Sequence, residues 1–73
     1  MSLVITFHNT TAAMAAEVCL KQEQMPGRLI PVPSSIKAGC GLAWMAPAAA
    51  AEPIAACLNQ ADIRYEAMQN CYL

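Results

Sequence analysis

From Ala38 to Cys57, twenty consecutive residues carry one charge, Glu52, and the run is apolar enough to suggest a membrane span. Gly39, Gly41, Pro47, Glu52 and Pro53 interrupt it, so the stretch divides instead into a strand, a loop and a helix. Every other element has to be fitted around that division.

The chain has 73 residues, which suits a single domain, residues 1–73, near the lower size limit for a core without staples. Nearly every apolar side chain is therefore needed for packing. With 58% hydrophobic and 12% charged residues, a disordered tail is excluded, and some apolar surface is expected to meet a partner or a second copy. Four Lys and Arg against five Asp and Glu give a net charge of -1 with no basic run, which argues against nucleic acid as a partner.

Leu3 to Phe7 is a β-branched and aromatic run with no solvated face, as in a central strand covered on both sides. Asn9, Thr10 and Thr11 offer capping oxygens for a helix reaching Gln22, with Ala13, Ala16 and Leu20 on one face and Cys19 beside it. Pro26-Gly27 is expected to stop that helix. The two prolines of Arg28–Pro33 cannot donate to a ladder, so this segment is an edge strand. After a loop through Gly39, residues 40–46 read as a second buried strand closed by Pro47. Ala48 to Ala51 read as a loop or frayed lead-in to a helix with Glu52 and Pro53 in its first turn and Ile54, Cys57, Leu58 and Ala61 on one face. Residues 63–69 alternate over their first five positions, as a half-exposed edge strand does.

The order is βαββαβ. Two right-handed crossovers joined by a hairpin predict an α+β, ferredoxin-like fold: a four-stranded antiparallel sheet with both helices on one face. Its open face is a reasonable surface for a homodimer.

Four cysteines without a signal peptide point to free thiols in a reducing cytoplasm, and Cys19 and Cys57 read as small buried hydrophobes. Cys40 is different. Gly39 and Gly41 leave its sulfur unshielded, and Lys37, three residues earlier, can favour the thiolate if the loop folds back. The competing reading turns the same thiol into the core at a tight strand entrance. In the expected topology Cys71 lies at the Cys40 end of the sheet and His8 at the other. Both helices are expected to turn their C-terminal ends toward Cys40, so no helix N-terminus assists it.

No closely spaced Cys, His or carboxylate set suggests a metal, and no glycine loop before a helix suggests a phosphate. Ser34 and Ser35 have no signature of a partnering base. No cofactor is expected, and a carrier or binding protein fits better than an enzyme.

Pro31-Val32-Pro33, then Ile36 and Cys40-Gly41-Leu42-Ala43, resemble the small bacterial family described as putative selenium/sulfur carrier protein-like, domain of unknown function 3343. Thr6-Phe7-His8, Ala13-Met14 and Ala16-Glu17 extend the resemblance over almost the whole chain. It implies that Cys40 is the family's characteristic cysteine, holding sulfur or selenium as a persulfide or selenenyl sulfide and exchanging it with a donor or acceptor protein. Ser34 and Ala38-Gly39 depart from the pattern, which often has a basic residue and serines there. Two other readings stay open: a dimeric interaction or small-ligand-sensing domain, and a redox switch joining Cys40 to Cys71 or to Cys40 of a second subunit.

Overall fold

The computed structural model describes residues 1–34, 36 and 40–72; Lys37, Ala38 and Gly39 lie outside them, and with them the supporting roles expected of Lys37 and Gly39. The described residues form β1 (Ser2–Thr6), α1 (Thr10–Gln22), β2 (Arg28–Pro31), β3 (Leu42–Pro47), a 3-10 turn (Ala48–Ala50), α2 (Ala51–Gln60) and β4 (Ala67–Cys71). The strand order is β2-β3-β1-β4 with every neighbouring pair antiparallel, which is the expected ferredoxin-like α+β arrangement.

β1 is central, and Leu3 to Phe7 are all buried, so the run without a polar face is explained by burial on both sides. Leu3, Ile5, Phe7, Trp44 and Ala46 face the helices and join Ala13, Ala16 and Leu20 of α1 and Ile54 and Leu58 of α2 in one core. Val4, Thr6 and Ala43, which alternate with those strand residues, are buried too. β2 takes the edge position expected of it but ends at Pro31, two residues before Pro33. Among the described residues, no helix is long and apolar enough to cross a membrane.

Asn9 caps α1, its Oδ1 accepting the Ala12 N–H at 2.8 Å. The helix stops before Pro26-Gly27. Gln24 takes φ 57, the Met25 N–H reaches Leu20 O at 2.8 Å, and the Gln24 N–H reaches Lys21 O at 3.1 Å. This is a Schellman closure. α2 closes the same way around Asp62 at φ 56, with the Ile63 N–H on Leu58 O and the Asp62 N–H on Asn59 O.

The α2 closure accounts for a shift in β4, which begins at Ala67 rather than Ile63. The Ile63 amide is used to end α2, and Ile63 and Tyr65 pack on the core from irregular backbone, so their alternation is that of a linker crossing the sheet end. Pairing starts where the Glu66 N–H donates to Thr6 O at 2.7 Å. The expected frayed lead-in is the 3-10 turn, which runs directly into α2 and leaves Pro53 in the first helical turn, where its missing N–H costs nothing.

In the middle of β3, Trp44 is fully buried and donates its indole N–H to Pro26 O at 3.2 Å. Gly27 permits this contact. Its φ is +120, and an added Cβ would collide with Met45 O and lie 2.6 Å from Trp44 Nε1.

Candidate functional site

β3 begins at Leu42, so Cys40 precedes the strand it was expected to open. The Val32 N–H donates to Gly41 O at 2.9 Å, which extends the β2–β3 pairing one step and fixes where the chain enters. Gly41 has φ +78 with nothing near an added Cβ, so backbone conformation rather than space calls for glycine. That turn brings the Leu42 N–H to 3.4 Å from Cys40 Sγ, while the thiol points back to Leu42 O at the same distance. Cys40 is half-buried and packs on the edge of the core. The sulfur is thus neither lost in the interior nor free in water, a position between the two sequence readings.

Three expectations about its surroundings are corrected by strand direction. β1 and β3 are antiparallel with Thr6 opposite Ala43, so the end of β1 and the start of β3 share one end of the sheet. His8 therefore lies at the Cys40 end, not the opposite one. α1 follows β1 directly, so its N-terminus, with no acidic residue in the first turn, is at that end as well. Only α2 turns its C-terminal end there. Cys71 pairs with Ser2, which in turn faces Pro47, and this places it at the other end. The four residue steps from Ser2 to Thr6 alone span about 13 Å, far more than a disulfide bridges, so an intrachain Cys40–Cys71 bond is excluded.

The Cys40 end also holds a polar pair. His8 Nδ1 lies 3.8 Å from Glu66 Oε2, and the exposed imidazole and half-exposed carboxylate stand where β1 gives way to α1.

The remaining two cysteines are not isolated hydrophobes. Cys19 of α1 and Cys57 of α2 meet with their sulfurs 3.4 Å apart. Cys19 lies beside the core-facing stripe of α1, between Ala16 and Leu20 in sequence, and Cys57 is part of that of α2, between Ile54 and Leu58. That matched placement is the signal in the sequence; the pairing itself requires the helices to be packed side by side. Burial, then the hydrogen bond and charge of Cys19, then the charge of Glu23, push the Cys57 thiol up to about 11.

No curated protein and no solved structure matches this chain. The family described as Putative Se/S carrier protein-like does, over residues 2–69, which include the whole sheet but its last two positions, both helices and Cys40. A match over nearly the full length places the chain in that family of Se/S carrier-like proteins.

Proposed function

We propose that this protein carries sulfur or selenium as a persulfide or selenenyl sulfide on Cys40, in a cytoplasmic exchange with a donor and an acceptor protein. The observation that supports this best is the Cys40-Gly41-Leu42 turn, which leaves the thiol half-buried at a sheet end with a backbone N–H 3.4 Å from its sulfur. A persulfide is an anion at neutral pH. The Leu42 N–H is a donor to it, and the positive end of α1 lies at the same end of the sheet. Loading is a transpersulfidation. The Cys40 thiolate attacks the outer sulfur of a donor enzyme's persulfide, the new S–S bond forms as the donor's S–S bond breaks, and the donor leaves as a thiol. A selenium-bearing donor reacts in the same way and leaves selenium on Cys40. By residue type, Lys37, three positions before Cys40 in the sequence, and Gly39, next to it, are assigned supporting roles in this reading.

The test is the intact mass of native and Cys40→Ser protein after incubation with a cysteine desulfurase and cysteine and, separately, with the same enzyme and selenocysteine, whose C–Se cleavage leaves selenium on the donor's thiol. The expected result is a gain of one sulfur or one selenium atom that dithiothreitol removes and that the serine variant lacks. Equal gain in the two proteins, or none in either, overturns the proposal.

A further inference from the structure

The Cys19–Cys57 contact joins α1 to α2 and takes no part in the Cys40-Gly41-Leu42 turn on which the loading of Cys40 rests. We propose that Cys19 and Cys57 form a second reactive site, a dithiol that closes reversibly to a disulfide joining α1 to α2. The two sulfurs are already in van der Waals contact at 3.4 Å, from positions 38 residues apart in sequence, so no rearrangement of the fold is needed to bring the groups together. Bond formation asks each sulfur to move by less than about 1 Å, within reach of a χ1 adjustment.

The site is open from outside. Cys19, Glu23, Cys57, Gln60 and Ala61 line a depression of about 230 Å³ beside the pair. Cys19 is half-buried while Cys57 is buried, so Cys19 is the thiol an external reagent meets first. The co-reactant is a low-molecular-weight disulfide. The Cys19 thiolate attacks one of its sulfurs, forming a mixed disulfide and releasing one thiol. The Cys57 thiolate then attacks Cys19 Sγ, forming the internal bond and releasing the second thiol. Two protein thiols are oxidised and one disulfide is reduced, so atoms and electrons balance. Among the described residues no group of three or more His, Cys, Asp and Glu is placed to hold a metal, and thiol–disulfide exchange is the chemistry a bare pair supports.

The test uses the full-length Cys40→Ser protein, in which the tryptic peptide between Lys37 and Arg64 contains Cys57 as its one cysteine. The protein is equilibrated with mixtures of reduced and oxidised glutathione, quenched by alkylation and digested. The expected product is a loss of two hydrogen atoms from the intact mass. Peptide 1–21 should be joined to peptide 38–64, increasingly so as the mixture becomes more oxidising and reversibly with dithiothreitol. Cys57→Ala, which keeps a small apolar side chain at the site, should instead stop at a glutathione adduct on Cys19. A link to Cys71, or Cys57 alkylated to the same extent at every ratio, overturns the proposal.

Discussion

Gly41 separates two effects that glycine can have. Its φ of +78 is one a side-chain-bearing residue adopts only under strain, yet an added Cβ would meet open space. Gly41→Ala should therefore fold, lose about 1 kcal/mol of stability, and relieve part of the strain by turning the Leu42 N–H away from Cys40 Sγ. If that N–H steadies the loaded state, the persulfide on Cys40 should decay several-fold faster in the variant. Urea denaturation and timed intact-mass measurement read the two effects. A fully stable variant with an unchanged persulfide lifetime would show that the turn does not serve the sulfur. The glycine-flanked cysteine is legible in the sequence because residue types alone show the missing Cβ atoms. The half-burial of the thiol is not, since it depends on how the Val32–Gly41 contact sets the chain's entry.

At the scale of elements, both helices end in the left-handed conformation without a glycine there, Gln24 at φ 57 and Asp62 at φ 56. The Schellman closures hold because Met25 and Ile63 pack on the core beyond them. Asp62 bears a second cost, since its carboxylate sits at the negative end of α2. Asp62→Gly should relieve both and stabilise the protein by about 1 kcal/mol, a rise in Tm of about 4–8 °C for a domain of this size. A calorimetric Tm unchanged or lowered would mean that Asp62 has another role.

The same element explains what sequence pattern alone misses. Residues 63–65 alternate as a strand does, but the first of their amides belongs to the helix closure, and only after Glu66 does the ladder begin. Element order, sheet topology and the edge position of β2 follow from hydrophobic runs and proline chemistry, and these are correct. The ends of the sheet require one further step, following each strand's direction around the antiparallel order. That step decides whether His8, the start of α1 and Cys71 stand near Cys40 or away from it.

For the whole molecule, the pair between α1 and α2 connects the packing of the helices to the pH dependence of folding. In the folded protein the Cys57 thiol is raised from its ordinary 9.0 to about 11, chiefly by burial and then by Cys19 and Glu23. In unfolded chains it ionises in the ordinary range. Between those two values an unfolded molecule has released a proton that the folded one retains. The unfolded state then binds fewer protons, and stability must fall as pH rises. The contribution is complete below about pH 9 and lost progressively as pH rises toward and through about 11. The informative quantity is a difference between variants, in which only residue 57 changes. Cys57→Ser has no thiol to ionise there, and its denaturation midpoint should decline less steeply than that of the reduced native protein between about pH 8 and about pH 11. Native protein closed by a Cys19–Cys57 disulfide has no thiol at that position either. Its profile should follow that of the serine variant, although the cross-link raises its overall stability. Three parallel profiles would place the alkaline loss elsewhere in the molecule. A native profile that alone bends downward would identify the interhelical thiol as its source.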